Sequence, residues 1–470
     1  MDREGPVEEF TAPAPLRAKD DVINHYTALF NRNDEELYPQ DITDDMAADW
    51  LNHEVPFFEC ADRLIERVYW FRGSGDELSY SSWVVDAVTR YAVTCGDREF
   101  AIGLLDDFVR FYHTVEERNM TRYGLFWSYD DRDAMEDSIS GSGLRPTLNS
   151  YMVANARAIA TIARWAGRQP LADEFDAKAS ALTGLIREEL WDPDGRFFKV
   201  LPLDERDGIL TATDFDDVDP MRNVREEIGY IPWAFGIADA RHEDAWRFLN
   251  DPDHFAGAAG IRTAEISHPR YRNRDSAHEC QWNGPCWPYA TTQTLNSMIA
   301  EIRSGRHGVA EADFLRELRR YAGIHVRYSD SGEVLDWIDE DLDADTGAWI
   351  SRDQLEAWQW REDKGGYERG KDYNHSAFAD LVISGLAGVH VDEADTGAAL
   401  TVTPLATGHA MPYWRLTDLP VGGTTVDIYY DFLGDRYGHG SGLTVLIDGR
   451  TLHADSDHPS ITVPLPAYVR

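Results

Sequence analysis

Apolar residues recur at helical spacing through most of the chain and change to strict alternation near its end. A period near 3.6 predicts helices over 18–37, 60–71, 83–94 and 98–117, over 149–166 with a stop at Gly167, and over 171–190. The segment WDPDGRFF that follows predicts a short strand hairpin. Further helices are expected at 226–238, 243–250, 287–303, 311–324 and 372–386, separated by long polar loops rich in Trp, Asp and Gly. From Ala398 onward, ALTVTPL, TTVDIYYDF, GLTVLIDG and SITVPL alternate apolar with polar positions, as half-buried antiparallel strands do.

Paired helices without a βαβ rhythm or a Rossmann glycine fingerprint predict a mainly α fold, a toroid closed by stacked helix pairs. No repeat of fixed period appears, which favours a closed barrel with irregular loops over an open array. The change of pattern divides the chain into a helical domain at 1–394 and a small C-terminal β-sandwich at 395–470.

Composition changes the picture in three respects. Aromatic residues make up 12% of the chain, with 15 Trp and 21 Tyr, which suits a protein that stacks on flat ligands such as sugars. Acidic residues number 84 against 45 basic ones, and the formal charge of −39 argues against nucleic acid or an anionic membrane surface as partner. Lysine is confined to Lys19, Lys178, Lys199, Lys364 and Lys371, so arginine carries nearly all the positive charge. This composition predicts a halophilic protein, because in concentrated salt the screening length falls to about 3 Å and the self-repulsion of an acidic surface is weak.

The N-terminus lacks a basic region followed by an apolar run, and no segment reaches the roughly 18 apolar residues of a membrane span. A soluble cytoplasmic protein is expected. Cys60, Cys95, Cys280 and Cys286 form no CxxC pair and are expected to be buried thiols, with neither a metal nor another cofactor bound. Nothing in the pattern fixes an oligomeric state.

The stretch from Trp127 to Tyr151, WSYDDRDAMEDSISGSGLRPTLNSY, is the first candidate for chemistry. Acids interleaved with Trp127, Tyr129, Met135 and Ile139 are partly desolvated by those neighbours, which pushes their pKa values apart. Two more stretches share its makeup: HECQWNGPCWPYATTQTLNS at 278–297 and WIDEDLDADTGAWI at 337–350. In order and character the three resemble segments of the helical-toroid α-glycosidases: the family 63 glucosidases, the mannosylglycerate and glucosylglycerate hydrolases and, more distantly, the trehalases. The resemblance covers most of residues 55–390.

Those families carry a Ser-Gly-x-Asp acid loop, a Trp-x-Gly-Pro-x-Trp segment and a late Glu followed by an Asp-x-x-Thr-Gly turn. Trp282 to Trp287 fits the second segment, while Glu340 with Asp343, Thr346 and Gly347 fits the third. The first departs: the acid position falls on Glu136 instead of an Asp, and the usual glycine is Ala134. The resemblance implies an (α/α)6 toroid and an exo-acting, inverting glycoside hydrolase on a small α-linked gluco- or manno-configured carbohydrate. Glu136 would be the general acid and Glu340 the general base. Asp137 and Asp133 are rival acids, since SYDDRD can also be aligned with the family loop.

Trp282 and Trp287 offer flat faces for a pyranose ring, and Arg145, Asn149 and Gln281 offer hydrogen bonds for its hydroxyls. His375 would contact substrate or cap the helix it opens. The run DLDADTG looks superficially like a calcium loop but lacks the EF-hand spacing and its terminal Glu. Two other functions remain open on the same toroid: a sugar epimerase or isomerase, and a carbohydrate-binding protein without turnover.

Overall fold

Pro146–Trp165 is the helix around which the helical part packs. Pro146 stands at its first position, where a fixed φ suits the turn and no N–H is required. Sixteen of its 20 residues are buried. Ala154, Ala156, Ala158, Ala160 and Ala163 keep its surface shallow, so that Val84–Cys95, Leu105–Asn119 and Gln169–Glu189 can pack against it. Gly167 leaves the helix in the left-handed conformation at φ 69°, and Gln169–Glu189 follows as the second arm of an αα-hairpin. This computed structural model describes residues 16–31, 43, 45–62, 65, 81–133, 135–212, 214–272, 280–328, 334–360, 370, 373, 377–394, 397–455 and 458–465.

Pro288–Arg303 starts in the same way on a proline and packs against Ile231–Ala234 and Glu311–Gly323. The hairpin expected from WDPDGRFF forms between Trp191–Asp192 and Phe197–Phe198. Other expectations shift. The helix expected at 226–238 is a 3-10 turn, Glu227–Tyr230, followed by the short helix Ile231–Ala234. The one at 243–250 is the 3-10 segment Ala240–Phe248, opened by Asp239, which exchanges capping bonds with Arg241 and His242. The described part of 372–386 contains Ala377–Leu381 running into the π-helical turn Val382–Leu386. At Gly385 a Cβ would lie 2.3 Å from Phe314 Cζ, so the close approach requires glycine.

Cys60 ends a strand, Phe57–Cys60, where the periodicity predicted the start of a helix. All four strand residues are buried, which removes the alternation that would have marked a strand. This strand lies at one edge of a five-stranded antiparallel sheet, followed in order by Tyr413–Val421, Thr424–Asp431, Gly442–Ile447 and Arg450–Ala454. A second sheet orders Ile461–Pro464, Gly397–Val402 and Val389–Ala394, so β structure begins before residue 395. Trp414, Leu416, Ile428, Val445, Leu400 and Val402 share one apolar core with helical residues such as Ala92, Val93 and Ile159.

Glu59, fully buried, anchors the edge strand through ion pairs with Arg415 at 2.7 Å and Arg436 at 2.8 Å. Cys60, Cys280 and Cys286 are buried thiols as expected, whereas Cys95 is exposed because it ends Val84–Cys95 on that helix's outer face. Among the described residues, no helix is long and apolar enough to cross a membrane.

Candidate active site

A small sheet fixes the first acidic loop at both ends. Trp127–Ser128 pairs with Gly143–Leu144, which pairs with Leu201–Pro202. A Cβ at Gly143 would lie 2.3 Å from the Leu201 carbonyl oxygen, so only glycine permits this pairing. Between the strands, Asp131–Asp133 makes a 3-10 turn, and the Met135 amide donates to the Asp130 carbonyl at 3.0 Å.

Arg145, wholly buried, is the hub of the loop. Its Nε donates to Asp133 Oδ2 at 2.5 Å, one terminal nitrogen donates to the Gly141 carbonyl at 2.6 Å, and the other lies 3.3 Å from Met135 Sδ. Glu226 secures the far side by accepting from the Ile139 amide at 2.8 Å, the Ser140 amide at 3.2 Å and the Ser140 hydroxyl. These contacts set the three rival acids apart. Asp133 is buried and bound to Arg145 and to the Ser81 hydroxyl at 3.2 Å. Burial pushes its carboxyl above the usual range, with Arg145 opposing. Glu136 is half-buried beside fully buried Met135, and Asp137 is exposed with φ at 58°.

Glu340 stands between two acids that are already engaged. Asp339 pairs with Arg352 at 3.2 Å, and burial pushes it up to about 6 against that cation. Asp341 accepts from the Ser351 amide at 3.0 Å and from the Ser351 hydroxyl; burial, with Glu340 and Asp339 adding, drives it well above its ordinary range. Glu340 itself is 8% exposed, and the Cys280 thiol donates to its Oε2 at 3.1 Å. Asp343 accepts from the amides of Asp345 and Thr346, both at 2.9 Å, so the Asp-x-x-Thr-Gly run is an Asx turn. Among the described residues, no group of three His, Cys, Asp or Glu side chains could hold a metal ion.

The segment 280–287 ties the two acidic loops together. The Trp282 amide donates to the Glu136 carbonyl at 3.0 Å, and Cys286 and Leu342 exchange backbone bonds at 2.9 and 3.0 Å. Trp282 and Trp287 stack on each other, with centroids 4.2 Å apart and planes at 18°, and both are almost wholly buried. They form a wall behind the site, with no broad face open to a sugar. Gln281, also buried, accepts from Trp287 Nε1 at 2.8 Å through its carbonyl. Asn149 binds the Phe126 amide and carbonyl and the Arg145 carbonyl, at 2.8 to 2.9 Å, and so clamps the base of the loop. His375 lies outside the described residues.

Trp83, Phe235, Tyr289 and Tyr373 are the half-buried rings of this cluster, and the motifs had not singled them out. Tyr373 meets Trp287 edge-on at 5.5 Å, and Trp83 lies 4.8 Å from Tyr151. Burial raises the Tyr373 hydroxyl well above its usual range, and Glu340, Tyr289, Cys280 and Glu136 add to the rise in that order. The loops that carry Glu136 and Glu340 are thus joined through Cys280–Trp282, with Tyr373 near both. Tyr289 had a signal of sorts, since it lies within the stretch 278–297, and Tyr373 stands two residues before His375; Trp83 had none.

Residues 72–376, well over half of the chain, match the family model described as the mannosylglycerate hydrolase MGH1-like glycoside hydrolase domain. No curated protein matches the chain. A solved structure named as a sialidase superposes with a TM-score of 0.81 and 27% identity over 95% of this chain and 44% of its own, so this chain spans less than half of that structure's length. The GH63 mannosylglycerate hydrolase of Thermus thermophilus, in complex with Tris and D-glycerate, gives a TM-score of 0.47 at 12% identity, over 77% of this chain and 100% of its own. Neutral trehalase of Saccharomyces cerevisiae gives 0.33 at 12% identity, over 51% and 37%.

Proposed function

This chain belongs to the mannosylglycerate hydrolase MGH1-like glycoside hydrolase family, and from that premise we propose that it cleaves a small α-linked gluco- or manno-configured glycoside from its end, with inversion. A glycosylglycerate is the first substrate to try. Glu136 is the general acid, protonating the leaving oxygen, and Glu340 is the base that activates water on the opposite face of the ring. Inversion requires the two carboxyls to stand roughly 6.5–9.5 Å apart, leaving room for that water. The observation that carries this reading is the stretch Cys280–Trp282, which joins the two loops: the Cys280 thiol meets Glu340 Oε2 at 3.1 Å and the Trp282 amide donates to the Glu136 carbonyl at 3.0 Å. In this reading Tyr289, Tyr373, Trp83 and Phe235 line the sugar-binding cleft. Arg145, Asn149, Gln281, Trp282 and Trp287 position it from behind.

The architecture that fits this role is a six-fold helical toroid through about residue 394 with a C-terminal β-sandwich packed on it. Phe57–Cys60 and Val389–Ala394 lend strands to the sandwich from the toroid's side of the chain. Limited proteolysis tests the division: early cuts near 385–400 support it, and early cuts inside 120–390 that never fall near 385–400 oppose it.

The deciding experiment for function incubates the protein with α- and β-linked disaccharides, glycosylglycerates and an α-sialoside in concentrated salt and assays free monosaccharide. NMR of the first product formed reads its anomeric configuration. Release from an α-glycosylglycerate or α-disaccharide as the β-anomer is expected. Release as the α-anomer would overturn inversion, and release from the sialoside alone would overturn the substrate class.

A further inference from the structure

We propose that Cys280 is a positioning residue for Glu340, its thiol fixing the carboxylate through Oε2; this rests on Glu340 being the base. The Cys280 Sγ lies 3.1 Å from Glu340 Oε2, and both side chains are buried, at 6% and 8% exposure. Two residues further on, the Trp282 amide donates to the Glu136 carbonyl at 3.0 Å. The short stretch Cys280–Gln281–Trp282 therefore touches both acidic loops, by a side chain at one end and by backbone at the other, and sets the spacing between them.

The type of donor matters. Asp339 is paired with a guanidinium from Arg352, and Asp341 with the amide and hydroxyl of Ser351. A guanidinium on a carboxylate stabilises the anion so strongly that it takes up a proton poorly. A thiol is a weak, neutral donor that orients the oxygen and still leaves it basic. Among the described residues, charged and titratable groups near Glu340 include Asp339 and Asp341 on its own segment, the Cys280 thiol and the Tyr373 phenol, with Arg352 beyond Asp339. The two neighbouring carboxylates disfavour a further negative charge and the thiol contact favours it, so loss of the thiol makes protonation of the base easier.

Cys280→Ala and Cys280→Ser separate this role from packing. In Cys280→Ala the acidic limb of the kcat–pH profile is expected to move up by about one pH unit. In the same variant kcat is expected to fall about tenfold with KM little changed, as for a residue that acts through Glu340. Cys280→Ser keeps a donor and is expected to return the limb towards that of the parent. An alanine profile superimposable on the parent's, while Glu340→Gln is inactive, would overturn the positioning role and leave the hydrolase reading standing.

A second measurement needs no substrate. The pH dependence of iodoacetamide alkylation, followed at Cys280 by mass spectrometry, reports the thiol's own ionisation. A neighbouring carboxylate disfavours the thiolate, so Glu340→Gln is expected to lower the apparent pKa of Cys280. No change would overturn the contact. If the parent cleaves none of the glycosides, the hydrolase roles fall, and the alkylation result still decides whether Cys280 and Glu340 are coupled.

Discussion

Glu136 and Asp137 are neighbours in the chain with opposite surroundings, and that difference decides what each can do. Half-buried beside Met135, Glu136 has the cover a proton donor needs, whereas Asp137 faces solvent. Glu136→Gln is expected to slow cleavage of natural glycosides by about 100- to 10,000-fold and to spare glycosyl fluorides, whose leaving group needs no proton. Glu340→Gln should lose both classes. Asp137→Asn should cost little, since Asn also tolerates the positive φ found there. Asp133→Asn would break the buried ion pair with Arg145, at a cost of about 3–5 kcal/mol, and should therefore show as a lowered melting temperature. If it instead melts normally and loses only natural glycosides, the acid is Asp133.

Away from the site, Glu227 gives a pH test. Burial drives its carboxyl well above the usual range, with Glu317 adding and the Thr294 hydroxyl, at 2.8 Å from Oε1, opposing. A carboxyl raised in the folded state binds its proton more tightly there than in the unfolded chain. Its contribution to stability is complete below the unfolded value and is lost as pH rises through the folded one. Glu227→Gln should thus raise the melting temperature at neutral pH and flatten its dependence on pH.

At the scale of elements, the small sheet at the foot of the acid loop stands or falls with Gly143. Gly143→Ala would push a methyl into the Leu201 carbonyl, which requires the strand to part, and both folding yield and activity should fall together. The edge strand Phe57–Cys60 depends in the same way on Glu59. Glu59→Gln breaks the buried ion pair with Arg436 and should cost about 3–5 kcal/mol, read by denaturant titration.

What could be read from sequence follows the same physics. Pro146–Trp165, Pro288–Arg303 and Glu311–Gly323 carry long periodic patterns with proline starts or glycine stops, and they were legible to within a few residues. Thr424–Asp431 and Gly442–Ile447 alternate clearly. Tyr413–Val421 was hidden because it contains Pro420 and a register shift between Leu416 and Leu419 that breaks the alternation. The motifs marked the loops that meet at the site. They did not show that Trp282 and Trp287 spend their faces on each other, because a motif records residue type and order but not which side of a ring is covered.

For the whole molecule, a formal charge of −39 sets the conditions of folding. Self-repulsion destabilises the compact state, and salt screens it over a length that falls from about 10 Å at 0.1 M to about 3 Å at 1 M. The melting temperature is expected to rise steeply with KCl over that range, and a flat response would rule out the halophilic reading. The charge is tolerable because one continuous core runs from Ile159 and Ala92 to Val445 and Val463, joining helices and sheets. The order of strands in the larger sheet adds a constraint of time. Phe57 pairs with Thr417, 360 residues later, so during synthesis at about 5–20 residues per second the edge strand leaves the ribosome well before its partner exists. For tens of seconds Phe57, Phe58 and Cys60 have no sheet to join and Glu59 no arginine partner from the later strands, and a nascent chain stalled before residue 413 should be the species that chaperones capture and proteases cut.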